Sequence, residues 1–117
     1  MIWILAALLV KHFIADFPLQ TPWMLGKGKR EGLAVSLMAH VAVHGAFTLA
    51  ILLVAAPALW WTALVEVVAH SAIDRLKAHP DLGGRWTPAQ PQFWWALGAD
   101  QLAHNLCYLA IAWMVTK

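Results

Sequence analysis

Apolar residues run along this chain in four long blocks, and each block is interrupted by a polar pair at one fixed spacing. The blocks cover residues 1–17, about 33–56, about 59–76 and about 93–115. Pro18 closes the first and Pro57 the second, because a proline ring collides with the turn before it. A bilayer core takes about 20 residues of helix, with a range near 17 to 25, so all four blocks are expected to span one. Residues 18–32 and 77–92, rich in Gly, Pro and charge, form the two long loops. Ala55-Ala56-Pro57-Ala58 makes a short apolar hairpin between the second and third blocks. The pattern predicts an all-α fold. It is a polytopic up-down-up-down bundle of four transmembrane helices, with residues 1–117 as a single integral membrane domain.

The interrupting pairs are His12/Asp16, His40/His44, His70/Asp74 and Asp100/His104. On a helix, residues i and i+4 share a face, roughly 6 Å apart along the axis, so each pair can aim two metal-binding atoms at one point. Five of the six histidines and three of the six acidic residues fall in these pairs. Ionisable groups are expensive inside a membrane segment and mark function there. Along an alternating path all four pairs lie in the same half of the membrane, beside the two long loops.

His12, Asp16, His40, His44, His70, Asp74, Asp100 and His104 are therefore the expected metal ligands. Imidazole and carboxylate donors without thiolate suit zinc, iron or manganese. Eight donors exceed one tetrahedral site, so two ions are expected, with Asp16, Asp74 and Asp100 as candidate bridges. Glu66 sits one turn deeper than His70 on the same face, placed to act as a general base or to orient the imidazole. Lys11, Arg75 and Lys77 lie close to the pairs and are expected to hold an anionic headgroup. The competing reading is structural: Asp16 and Asp74 could balance Lys11 and Arg75, and a lone intramembrane histidine often only bonds a neighbouring helix.

Composition supports lipid as the solvent. Hydrophobic residues make up 62% of the chain and charged residues 12%, with mean hydropathy +0.65. That charge fraction is about half the usual value for soluble domains. Lys27, Lys29, Arg30, Arg75, Lys77 and Arg85 cluster in or beside the long loops, leaving only Lys117 on the other side. By the positive-inside rule the long loops are cytoplasmic and both termini periplasmic, in a bacterial inner membrane. Trp3, Trp60, Trp61 and Trp113 would mark the outer interface, and Trp23, Trp86, Trp94 and Trp95 the inner one. Lys11 and His12 break the first apolar run, and no basic segment precedes it, which argues against a cleaved signal peptide. The single Cys107 excludes a disulfide framework. No nucleic-acid partner is expected; a homo-oligomer is compatible with the chain.

The halves also look duplicated. His12 and His70 are 58 residues apart, and His40 and Asp100 are 60 apart. Two hairpins of the same sense would be related by an axis along the membrane normal, with helices one and three facing each other.

The string His12-Phe13-x-x-Asp16-Phe17-x-Leu19-Gln20, with His40/His44 and Asp100-Gln101-x-x-His104 after it, resembles a family of small bacterial and phage inner-membrane proteins defined as a domain of unknown function. The resemblance covers nearly the whole chain and implies a polytopic membrane protein without assigning an activity. A weaker likeness, in helical His/Asp pairs alone, is to membrane-bound metal-dependent hydrolases. The function expected from the residues is a dimetal hydrolase acting on a lipid-linked, phosphorylated or otherwise amphipathic substrate at the cytoplasmic side. The alternatives are a di-iron oxidase or hydroxylase, and a transporter or channel for divalent metal or protons. A transport path should carry ionisable groups through the whole depth, whereas only Glu66 and Lys11 lie deeper than the pairs. A b-type haem would leave the three aspartates unexplained.

Overall fold

Prolines punctuate the helices. A computed structural model describes residues 1–23 and 33–117 and contains four α-helices: α1 (Ile2–Asp16), α2 (Leu33–Ala55), α3 (Thr62–Ala78) and α4 (Pro91–Val115). No strand occurs among the described residues. Pro18 follows the Phe17 cap of α1, and Pro80 follows the His79 cap of α3. Pro91 opens α4 at its first turn, where the missing N–H has no intrahelical partner in any case. That start lies two residues ahead of the boundary read from hydropathy. Pro57–Leu59 forms a 3-10 turn, which delays α3 from about Leu59 to Thr62. A second 3-10 turn, Gly83–Arg85, folds back on α3; a Cβ at Gly83 would sit 2.3 Å from the Lys77 carbonyl oxygen.

Each helix packs against two others: α1 on α2 and α4, and α3 on α2 and α4. Helices α1 and α3 thus occupy opposite corners of a square. The chain direction follows from the contacts along it. Asp16 meets His40, and Lys77 meets Asp100, near one end. Leu8, Leu52, Ala63 and Ile111 cluster toward the other. Residue numbers rise along α1 and α3 in the direction in which they fall along α2 and α4, so the helices alternate up and down.

What faces the middle is unusual. Every helix buries a row of residues spaced by four: Leu8 and His12 on α1; Ser36, His40, His44, Thr48 and Leu52 on α2; Thr62, Glu66, His70 and Asp74 on α3; and Asp100, His104, Tyr108 and Ala112 on α4. Asp16 continues the first row to the edge of the bundle. The rows are mostly polar. The outside, by contrast, is apolar: Val54 is 89% exposed, and Trp3, Met38, Val68 and Trp95 project outward as well. Trp3, Trp60, Trp61 and Trp113 are exposed at the end holding the termini, and Trp23, Trp94 and Trp95 at the end holding the long loops.

Among the described residues α2 alone is long and apolar enough to cross a membrane by itself, through Val35–Ala55 with mean hydropathy 2.0. The other three fall short for separate reasons. Helix α1 has 15 residues and α3 has 17. Helix α4 has 25 but carries Asp100, Gln101, His104 and Asn105 across its middle. Lys27, Lys29 and Arg30, on which the charge asymmetry partly rests, lie outside the described residues.

Candidate metal centre

The rows of four meet in register, and the result is two stacked layers with one residue from each helix. The lower layer is four imidazoles: His12, His44, His70 and His104. Ring centroids around this square are 5.4 Å for His12–His44, 3.9 Å for His44–His70, 4.0 Å for His70–His104 and 5.0 Å for His104–His12. The upper layer is Asp16, His40, Asp74 and Asp100. Each i,i+4 pair seen in the sequence supplies one member to each layer.

Two carboxylates knit the layers together. Asp16 Oδ1 lies 2.9 Å from His44 Nε2 and 3.1 Å from His40 Nε2, while its Oδ2 is 3.2 Å from His12 Nε2. Asp74 Oδ2 lies 3.2 Å from His40 Nε2 and 3.4 Å from His70 Nε2, and its Oδ1 is 3.3 Å from His104 Nε2. Asp100 Oδ1 is 3.4 Å from His104 Nε2. Its Oδ2 accepts from Lys77 Nζ at 2.9 Å and from Gln101 Nε2 at 3.0 Å.

Two sets of donor atoms lie within 4.8 Å of one another and could each hold an ion: Asp16, His40, His44 and His70; and His70, Asp74 and His104. His70 belongs to both. His12 and Asp100 adjoin these sets without completing them. The donors fit the ion. Around a tetrahedral centre with bonds of about 2.0–2.1 Å, neighbouring ligand atoms stand roughly 3.3 Å apart, and the carboxylate–imidazole distances here run from 2.9 to 3.4 Å. His70 is fully buried; its Nδ1 has no hydrogen-bond partner, and its Nε2 is turned to the Asp74 carboxylate at 3.4 Å. An ion between Nε2 and that carboxylate would draw on the imidazole lone pair and the negative oxygen together.

Beneath the imidazoles lies a third tier. His12 Nδ1 is 2.9 Å from the hydroxyl of Tyr108. Lys11 is buried and ion-paired with Glu66. Its ammonium also approaches His44 Nδ1 at 3.5 Å, donates to the His44 carbonyl at 3.4 Å and sits 4.6 Å from the Tyr108 ring centre. The Tyr108 hydroxyl, able to accept from Nδ1–H, reaches the side of the His12 ring that faces away from the carboxylates, which is how the tautomer of a ligating histidine is set. The Lys11 ammonium can only donate and does not play that part at His44.

The structure therefore separates the residues expected to touch substrate or do proton transfer. Lys11 points into the bundle and is consumed by Glu66, below the histidines. Arg75 is exposed on the outside of α3. Lys77 alone of the three reaches the upper layer, at Asp100, with its side chain 26% exposed. Glu66 Oε1 engages Lys11 rather than a histidine. Tyr108 and Thr48 were not singled out by sequence, although each continues a row of four, Asp100-His104-Tyr108 and His40-His44-Thr48.

Fold and site together define a four-helix protein with a buried His/Asp cluster able to hold metal. Residues 4–117 match the family described as Protein of unknown function (DUF3307), and the chain belongs to that family. Nothing among curated proteins or solved structures matches the chain.

Proposed function

We propose that the protein is a membrane-embedded, metal-dependent hydrolase that takes a lipid-linked or amphipathic substrate from the cytoplasmic side. The observation that carries this reading is the inverted polarity of the bundle. In water, a row such as Glu66, His70 and Asp74 in the interior and Val54, Val68 and Trp95 outside is unfavourable on both counts. In lipid, the apolar exterior has a matching solvent and the polar groups answer one another. The longest extent of 42 Å also fits a bilayer of about 40–45 Å including headgroups. Helices too short or too polar to insert alone would be held by their neighbours.

In this reading two divalent ions, zinc, iron or manganese, would draw on Asp16, His40 and His44 and on Asp74 and His104, with His70 serving one of them and His12 and Asp100 as supplementary donors. Such a pair would activate water and polarise a phosphoryl or carbonyl oxygen. The chain's own groups orient the donors: Tyr108 toward His12 and Gln101 toward Asp100. Arg75, Lys77 and Arg85 sit at the cluster end, which the positive-inside rule assigns to the cytoplasm, and both termini would then be periplasmic.

The site is one-sided, which favours catalysis over conduction. Beyond Lys11, Glu66 and Tyr108 the axis is filled by Leu8, Leu52, Ala63 and Ile111, with no further titratable side chain in that cluster among the described residues. The test is elemental analysis of protein purified from native membranes without chelator. About two transition-metal ions per chain are expected, together with hydrolytic turnover lost on chelation and restored by metal. Metal-free protein from native membranes would overturn the reading.

A further inference from the structure

The upper layer is not sealed. An opening of about 370 Å³ reaches it between the end of α1, the end of α3 and the start of α4, lined by Asp16, Phe17, Gln20, Lys77, Leu97 and Gln101. It shares Gln20, Lys77 and Leu97 with a neighbouring cavity of about 310 Å³ that continues past Trp86 and Phe93. Together they fall in the size range of small-molecule sites, roughly 300–1,000 Å³. The polar groups gather at the end nearest the cluster, and the walls leading away from it are apolar.

We propose that this opening receives a phosphate monoester carried on an apolar chain, with the phosphate against Lys77 and the chain along Phe17, Leu97, Trp86 and Phe93. The proposal rests on the metal-centre reading and names the substrate class for it. Charge is the first argument. Asp16, Asp74 and Asp100 against Lys77 leave two negative charges in the upper part of the site, while Lys11 and Glu66 cancel below. Two divalent ions convert that excess to two positive charges, and the ions, as the largest local charges, set the sign of what binds. A doubly charged phosphate monoester answers it; a neutral ester or amide does not.

Position is the second argument. Among the described residues Lys77 is the one cation lining the opening. Its ammonium is held 2.9 Å from Asp100 Oδ2 and 3.9 Å from Asp74 Oδ1, so it is fixed beside the donors rather than free in the loop. Gln101 is fixed too, giving its amide to Asp100 and placing its Oε1 3.1 Å from His12 Nε2. Gln20 stands at the junction of the two cavities, able to donate to a second phosphate oxygen. The third argument is the wall: a free phosphate would use none of Phe17, Leu97, Trp86 or Phe93, whereas an alkyl chain would cover them.

Binding of dodecyl phosphate to the zinc-loaded protein in dodecyl maltoside, followed by phosphorus NMR line broadening, tests this without reference to turnover. Inorganic phosphate and dodecanol serve as competitors, and zinc is measured in every sample. Dodecyl phosphate is expected to bind, inorganic phosphate to compete at least about ten-fold more weakly, and dodecanol not to compete at equal concentration. Lys77→Ala should weaken binding by about ten-fold or more, the loss of one hydrogen bond to a charged group, and Lys77→Arg should restore most of it. Leu97→Trp, which fills the opening without touching a charge, should also weaken it. Zinc-replete protein that binds dodecyl phosphate equally well as wild type, Lys77→Ala and Leu97→Trp would overturn the proposal and leave the metal centre standing. Inorganic phosphate binding as tightly as dodecyl phosphate would overturn the amphiphile. Failure to take up zinc, iron or manganese would overturn both.

Discussion

The hydroxyl of Tyr108 lies 2.9 Å from Nδ1 of His12, on the side of the imidazole turned away from Asp16. It ties the fourth helix to the first and fixes which nitrogen of His12 faces the carboxylates. Tyr108→Phe keeps the packing and removes this contact. Metal affinity should fall by roughly 10–100-fold, as for other partners of ligating histidines. Competition with a fluorescent chelator measures it. His79→Ala, in the loop beyond α3, should leave affinity unchanged.

The two donor sets overlap at His70, which makes stoichiometry informative. His44→Ala belongs to one set and His104→Ala to the other, so each should reduce bound metal from about two ions toward one. His70→Ala removes a donor that either set could use and should reduce it at least as much. Metal per chain after gel filtration, by plasma mass spectrometry, distinguishes the three. Equal metal content in wild type, His44→Ala and His104→Ala would show that the cluster holds no ion.

Lys11 and Glu66 should behave as a unit. Removing one partner leaves the other charge buried, at a typical cost of about 3–5 kcal/mol. Lys11→Met and Glu66→Gln should therefore each lower the thermal unfolding midpoint sharply, and the double variant should recover much of the loss. Additive damage in the double variant would mean that the pair is not coupled.

Helices α2 and α3 approach closely at Gly45. A Cβ there would stand 2.5 Å from Cγ2 of Val67, a stiff β-branched side chain. Gly45→Ala should destabilise the bundle by about 1–3 kcal/mol through overpacking. Adding Val67→Ala should relieve it. Thermal unfolding of the single and double variants in the same detergent gives the comparison.

Sidedness is decided by fusions. A reporter after Lys117 should read as periplasmic and one inserted between Pro88 and Gln90 as cytoplasmic, from the placement of Arg75, Lys77 and Arg85. A cytoplasmic reading at Lys117 would put the opening beside Lys77 on the outer face.

The sequence carried the helices and the pairs because both are local. Four apolar blocks, closing prolines and a spacing of four need no knowledge of partners. The layers were not legible in the same way, since which pair member stands opposite which depends on the register between helices. The case of Lys11 shows the limit from the other side. It is next to His12 in sequence, and adjacency suggested a shared role at the substrate. One helical step turns a side chain by about 100°, which sends Lys11 toward α3 and Glu66 instead. Lys77 is three residues from Asp74 and stays on its face. Tyr108 carried a usable signal, one turn beyond His104 in a row of four, but its neutral, half-apolar side chain looked like ordinary packing.

The two faces of these helices answer to different things. Inward positions such as His44, His70 and Asp74 touch one another; outward positions such as Val54, Val68 and Trp95 touch only the surroundings. The chemistry and the solvent preference are thus written on separate sets of residues. Replacing the outward set with charged side chains would leave every donor–donor distance in the cluster untouched in principle, and on the membrane-embedded reading proposed above would give a protein that dissolves in water. The same His/Asp cage could then be studied, or put to use, free of any bilayer.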